Sequence, residues 1–167
     1  MQGLRLALSI GAKRIAGYVA TDGEVDISPL LAELAARGHE VHLPRISERG
    51  HDMAFIRWHP DNALRRNRYA IPEPVFGGRC PAAQLDLVFV PLLACDRQGN
   101  RLGSGAGYYD RCFAFRGTGT TGKKAAQRPL LCGVGYPFQL HDALQADPWD
   151  VPLDCALIGS QLIAFRN

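Results

Sequence analysis

The run Arg101-Leu102-Gly103-Ser104-Gly105-Ala106-Gly107-Tyr108-Tyr109-Asp110 concentrates most of the chemistry this chain could perform. Glycines at every second position let a backbone turn tightly and bring its N–H groups close to a bulky anion. Arg101 can fork onto phosphate oxygens, Asp110 can offer Mg2+ a hard carboxylate oxygen, and Tyr108 and Tyr109 present flat faces to a ring. The glycines alone are a weak signal. They spell G-x-G-x-G, and Tyr108 stands where the dinucleotide pattern G-x-G-x-x-G needs its third glycine. A ligand-free turn would suit them equally well; the guanidinium before them and the carboxylate after them turn the reading toward a phosphate site.

Such a loop needs rigid elements on both sides. Leu85 to Pro91 is apolar, β-branched and ended by proline, which predicts a buried strand, and Tyr108 to Phe115 can start a helix. Strand, glycine loop and helix N-terminus together aim free N–H groups and a dipole at an anion. Upstream, residues 1 to 12 carry a partly helical pattern and Ile15 to Val19 predicts a strand. Ser28-Pro29 predicts a helix start with a hydroxyl cap, Leu30, Leu31 and Leu34 supply its apolar face, and Gly38 ends it. Val41 to Pro44 predicts the next strand, so a βαβ unit and a parallel sheet follow.

Met53 to Trp58 predicts a further strand, and Leu64 to Tyr69 a surface turn or short helix. Two prolines forbid a helix over Ile71-Pro72-Glu73-Pro74 and predict the start of a loop. Leu130 to Tyr136 and Cys155 to Ile158 predict core strands, with an edge strand over Gln161 to Phe165. The expected architecture is a single three-layer α/β sandwich over residues 1–167 with a mostly parallel sheet, its ligands beyond the carboxyl ends of the strands. Arg116 to Lys124 is a near miss for a P-loop: Gly117, Gly122 and Lys123 fit, but Lys124 replaces the required Ser or Thr, so a surface loop is expected.

Composition narrows the function classes. With 167 residues, 47% hydrophobic and 21% charged, the chain can bury a core and reads as an ordinary soluble protein. No apolar run of about 18 residues spans a membrane, and the N-terminus lacks a signal-peptide pattern. A net charge of +3 with scattered basic residues does not point to nucleic acid. Five cysteines without a C-x-x-C argue against zinc or a disulfide framework and for reduced thiols in a cytoplasm. His51, His59 and His141 are expected at the surface.

Pro91-Leu92-Leu93-Ala94-Cys95-Asp96, followed by Gly99-Asn100-Arg101 through Asp110-Arg111, resembles the signature of the 5-formyltetrahydrofolate cyclo-ligases, also called methenyltetrahydrofolate synthetases. Tyr18 to Asp26, Met53-Ala54-Phe55, Pro72-Glu73-Pro74 and Trp149 to Leu153 resemble other stretches of that family, in the same order. The resemblance implies a fold related to sugar-phosphate isomerases and CoA transferases. It also implies conversion of 5-formyltetrahydrofolate to 5,10-methenyltetrahydrofolate, with Mg-ATP consumed to ADP and phosphate by a monomer. It implies ATP contacts from Arg101, Leu102, Gly103, Ser104, Gly105, Ala106, Gly107, Tyr108 and Tyr109. Folate contacts are implied from Val19, Glu24, Met53, Ser104, Gly105, Ala106, Gly107 and Tyr108, and Mg2+ ligands from Asp110 and Asp150. Arg101, Tyr108 and Asp110 carry the catalytic roles, Gln139 falls near the site, and the Glu73 element is architectural.

Three departures stand out. Cys95 replaces a usual phenylalanine, and Ser104 stands where larger residues occur. The family also opens with a basic helix reaching the ATP phosphates, which Lys13 and Arg14 do not match by position. A non-catalytic homologue that still binds folate or nucleotide is the alternative expectation. A different enzyme on a related scaffold is a third.

Overall fold

The computed structural model describes residues 2–21, 23–117 and 128–165. Thirteen strands and three helices follow one another along the described residues. Helix α1 (Gln2–Ser9) leads to β1 (Arg14–Ala16), α2 (Ser28–Ala36), β2 (Glu40–Ile46), β3 (Met53–Arg57), β4 (Leu64–Arg66), β5 (Pro72–Pro74) and β6 (Arg79–Cys80). Then come β7 (Leu87–Pro91), β8 (Ala94–Asp96), β9 (Arg101–Leu102), α3 (Tyr108–Phe113), β10 (Leu130–Gly135), β11 (Leu140–His141), β12 (Cys155–Ile158) and β13 (Gln161–Ala164).

Eight strands form one sheet in the order β13-β12-β10-β7-β1-β2-β3-β6. Its five central strands run parallel, and antiparallel β13 and β3 flank them. The chain moves outward from β1 through α2 to β2, and from β7 through β10 to β12 in the other direction. The order therefore reverses between β1 and β7, where a doubly wound sheet leaves a crevice at its carboxyl edge.

Both faces of the sheet are covered, which is why its strands read as continuous apolar runs. On one face, Leu6 and Ala7 of α1 and Leu30, Leu31 and Leu34 of α2 bury Ile15, Val41, Leu87, Phe89 and Leu157. On the other, Phe113 of α3 packs with Phe55, Val88, Leu131 and Ile158, its ring centroid 5.9 Å from that of Phe55.

The structure departs from expectation at several elements. The run 64–74 is a hairpin: the expected turn covers only its tip at 67–71, while 64–66 and 72–74, expected as turn or helix and as loop, are β4 and β5 paired antiparallel, with Leu64 opposite Pro74 and Arg66 opposite Pro72. Prolines are compatible with a two-stranded ribbon because each has an edge where no N–H is needed. Strand β2 runs through Pro44 to Ile46, since the antiparallel β3 continues the pairing that the parallel side drops. The expected hydroxyl cap of α2 is absent. Asp26 does that work instead, accepting from Ser28 N at 2.8 Å and from Ser28 Oγ at 3.0 Å. The P-loop-like run falls largely on residues 118–127, outside the described residues. No helix among the described residues is long and apolar enough to cross a membrane.

Candidate functional site

The crevice between β1 and β7 opens into a cavity of about 1130 Å³. Ligand pockets commonly enclose about 300–1,000 Å³, so this cavity lies at the large end of that class. Every residue singled out from the sequence for ATP, folate or metal lines it. Val19 follows β1, Glu24 sits on the next turn, Met53 opens β3, the run Arg101–Asp110 forms one wall, and Asp150 faces it from a later loop. A smaller cavity of about 510 Å³ adjoins it and shares Tyr18, Val19, Thr21 and Glu24.

The glycine loop does not spring directly from the central strand. A hairpin intervenes: β8 pairs antiparallel with β9, so the loop leaves β9 and enters α3. Asp96, fully buried at the hairpin turn, organises this arm. Its carboxylate accepts from Gln98 N and Asn100 N, each at 2.9 Å, from Asn100 Nδ2 at 2.8 Å, and from Leu144 N at 2.9 Å. That last bond fastens the segment leading to Asp150 onto the arm that presents Arg101. These four donors hold the Asp96 carboxyl below the usual carboxylate range despite its burial.

The alternate glycines do separable jobs. Gly105 and Gly107 adopt φ of +87° and +64°, a left-handed turn that side chains resist. Gly103 makes room instead: a Cβ there would lie 2.5 Å from Arg101 Nη1. The Arg101 side chain, 8% exposed, lies under the loop. Its Nη2 donates to Asp110 Oδ2 at 3.0 Å, and its guanidinium rides 5.6 Å from the Tyr109 ring centre. Asp110 Oδ1 accepts from Val151 N at 3.1 Å, which draws the Asp150 loop against α3. Helix α3 spans only six residues, so its dipole is small and the loop amides are the main anion-facing donors.

Glu24 closes its own turn by accepting from Thr21 N at 2.8 Å. Behind it, Tyr18 donates to Val25 O at 2.8 Å. Burial and the nearby Glu24 carboxylate push both Tyr18 and Tyr109 upward from the ordinary phenol value, while Arg101 opposes the rise at Tyr109. Glu73 is buried and accepts from Ile46 N at 3.1 Å and Asn67 Nδ2 at 3.2 Å, tying the end of β2 to the β4–β5 hairpin. Its architectural reading agrees with this geometry. Gln139 does not reach the cavity: it is buried, with Nε2 on the carbonyls of Leu92 and Leu93 and Oε1 on Tyr136 N.

Sequence reasoning missed the outer rim. Tyr69 and Asn67 from the hairpin tip, and Arg111 from α3, also line the cavity. Only the proximity of Arg111 to the glycine motif could have flagged any of them.

As to a metal, no group of three or more His, Cys, Asp or Glu side chains able to hold an ion occurs among the described residues. Asp110, in the first turn of α3, and Asp150, on a later loop, nevertheless fit Mg2+ as a pair of hard oxygen donors. Each Asp110 oxygen carries one hydrogen bond and keeps a lone pair, and Asp150 spends only Oδ2, on Asp147 N at 2.9 Å.

The sheet and the cavity define a class: a doubly wound α/β protein with its cavity at the switch point, against a glycine bend backed by a buried guanidinium. Residues 4–159 match the 5-formyltetrahydrofolate cyclo-ligase family, and the chain belongs to it. It is 35% identical over 151 residues to the 5-formyltetrahydrofolate cyclo-ligase of Haemophilus influenzae, covering 89% of this chain and 76% of the relative. It is 32% identical over 154 residues to the enzyme of that name from Escherichia coli, covering 90% and 80% respectively. Among solved structures, the 5,10-methenyltetrahydrofolate synthetase of Aquifex aeolicus superposes with a TM-score of 0.79 at 32% identity, over 99% of this chain and 79% of that one. The Mycoplasma pneumoniae synthetase gives 0.66 at 26% identity, over 93% and 79%.

Proposed function

We propose that this chain closes 5-formyltetrahydrofolate to 5,10-methenyltetrahydrofolate and consumes ATP to ADP and phosphate in doing so. The observation that carries the reading is that one cavity gathers every residue the resemblance implies for ATP, folate or metal, in a chain whose family membership rests on nearly its whole length.

The chemistry explains what the cavity must supply. A formamide oxygen leaves poorly until it is phosphorylated. The formyl oxygen attacks the γ-phosphorus, the bond to the β-phosphate oxygen breaks, and ADP departs. N10 then attacks the activated carbon, loses its proton, and phosphate leaves with the former formyl oxygen. Catalysis is therefore alignment plus charge stabilisation.

Arg101 donates to phosphate oxygens, and the amides of the bend at Gly105 and Gly107 cradle them. Tyr108 donates to an oxygen at the junction of the two substrates. Glu24 accepts paired N–H bonds from the aminopterin edge, while Val19 and Met53 wall that ring from water. Asp110 and Asp150 hold Mg2+, which supplies charge neutralisation on the triphosphate when bound. The reading takes the enzyme to act as a monomer. The five free cysteines support a cytoplasmic setting.

The test is direct. The protein, ATP, Mg2+ and 5-formyltetrahydrofolate are expected to generate the absorbance of the methenyl product, with no signal when ATP is omitted. Folate binding without product at high protein concentration would point to the non-catalytic homologue instead.

A further inference from the structure

The β4–β5 hairpin has no assigned role in the reaction, yet its tip reaches the glycine loop. The tip is firmly built. Asn67 Oδ1 accepts from Tyr69 N at 2.9 Å and from Ile71 N at 3.1 Å, and Ala70 takes a left-handed φ of +61°. Arg66 Nη1 adds a 2.6 Å bond to Ala70 O. This geometry aims Arg68 outward across the cavity rim.

Arg68 gathers three loops. Its Nη1 donates to Glu48 O at 3.3 Å, and its Nη2 donates to Gly50 O at 2.7 Å and to the Tyr108 hydroxyl at 2.5 Å. Its guanidinium also lies 5.1 Å from the Tyr69 ring centre. Tyr108 is boxed on its other sides. The Tyr69 ring meets it edge-on at 6.3 Å and 77°, and the Arg111 guanidinium lies 5.3 Å from its ring centre. Arg111 Nη2 in turn donates to Ala106 O at 2.7 Å, so the loop is braced from both ends.

Two features separate this from an ordinary surface arginine. First, the acceptors of Arg68 are two carbonyls and a phenol, all neutral, so its bonds are directional ties rather than charge pairing. Second, a guanidinium only donates. The Arg68 bond therefore takes one lone pair of the Tyr108 oxygen and fixes where that hydroxyl sits, beside the Tyr69 phenol with which it also hydrogen-bonds.

We propose that Arg68 is a positioning residue for the cyclisation: it straps Tyr108 over the cavity and holds its hydroxyl in place there. The strap itself stands on the ligand-free geometry. Its catalytic consequence rests on the function proposed above, and the two parts are tested by separate measurements.

Hydrogen exchange on the ligand-free protein addresses the strap. In Arg68→Ala the α3 amides that bond back onto the bend, Arg111 N to Gly107 O among them, are expected to exchange about tenfold faster, with β7 and β10 unchanged, as for the loss of about one charged hydrogen bond. Unchanged exchange in α3 overturns the proposal, whether or not the enzyme turns over.

Kinetics address the consequence. Arg68→Ala and Tyr108→Phe are each expected to lower kcat/KM about tenfold, and the double variant is expected to stay within about twofold of Tyr108→Phe alone. Arg68→Lys, which keeps one donor within reach, is expected to fall between wild type and Arg68→Ala. Losses that multiply in the double variant would overturn the claim that Arg68 acts through Tyr108. A wild-type protein without cyclo-ligase activity would overturn the proposed function, and the exchange measurement would still decide the strap.

Discussion

Two arginine–aspartate pairs with buried guanidiniums bracket helix α3, and they are built to opposite ends. Beyond its C-terminus, Arg116 Nη2 donates to both oxygens of Asp154, at 2.7 and 2.8 Å, and Nη1 reaches Pro152 O at 3.5 Å. Asp154 Oδ2 also accepts from Leu131 N at 2.7 Å. This pair spends most of its capacity inside the fold, joining the helix end to the starts of β10 and β12, with Arg116 Nε buried and facing no acceptor among the described residues. Before the helix, Arg101 makes one 3.0 Å bond to Asp110, and both residues line the cavity. Burial is similar, with arginine side chains 5% and 8% exposed, so burial alone does not tell a structural ion pair from a functional one. Spare hydrogen-bonding capacity facing a cavity does.

The comparison breaks if the two arginines fail differently from this account. Removing Arg101 has the largest expected effect. Arg101→Ala is expected to lower kcat/KM by about 10³, the low end of what a transition-state arginine supplies in phosphoryl transfer, with little change in thermal midpoint. Steady-state kinetics beside a melting curve read both quantities.

Next comes the structural partner. Arg116→Ala removes a two-bond partner from the partly exposed Asp154 carboxylate, which keeps Leu131 N, and is expected to cost ~1–3 kcal/mol in urea unfolding, against a typical domain stability of ~5–15 kcal/mol. The fraction that remains folded is expected to keep near-normal turnover.

A subtler change sharpens the contrast. Gly103→Ala places a methyl 2.5 Å from Arg101 Nη1, the far end of a flexible side chain that can swing away. The expected outcome is a loss of roughly tenfold in kcat/KM from a displaced donor, with a stability change under about 1 kcal/mol.

The smallest effect lies outside both pairs. His42 is 3% exposed, and burial lowers its pKa. The unfolded chain protonates this ring near pH 6.5 while the folded chain resists. Its contribution to stability is therefore full above that pH and is lost as pH falls below it, by at most about 1.4 kcal/mol per pH unit. Urea midpoints measured from pH 7.5 down to pH 5 are expected to fall, and the part of that fall due to His42 is expected to vanish in His42→Gln.

Much of this was legible in the sequence because it is local. The strands β7, β10 and β12 announce themselves as apolar runs, and the glycine bend is marked by its own spacing and flanks. The β4–β5 hairpin was not legible. Prolines at 72 and 74 signal a break, and only the antiparallel register with 64–66 turns them into a strand. Arg68 was hidden for a similar reason: an exposed arginine in a basic run gives no local sign that it meets Tyr108, forty positions later. Asp96 and Gln139 likewise take their roles from partners more than forty residues away in sequence, at Leu144 and at Leu92 and Leu93. Cys95, unexpected at its position, lies fully buried beside Asp96, and its thiol is pushed up to about 11 by burial, so it acts as a small apolar filler.

The central claim is that the guanidinium under the glycine bend grips the triphosphate. Calorimetric titration of Mg-ATP into wild type, Arg101→Ala and folded Arg116→Ala tests it most directly. The account predicts a Kd weakened by about 10- to 100-fold in Arg101→Ala and unchanged in Arg116→Ala. Equal affinity of wild type and Arg101→Ala for Mg-ATP would contradict it.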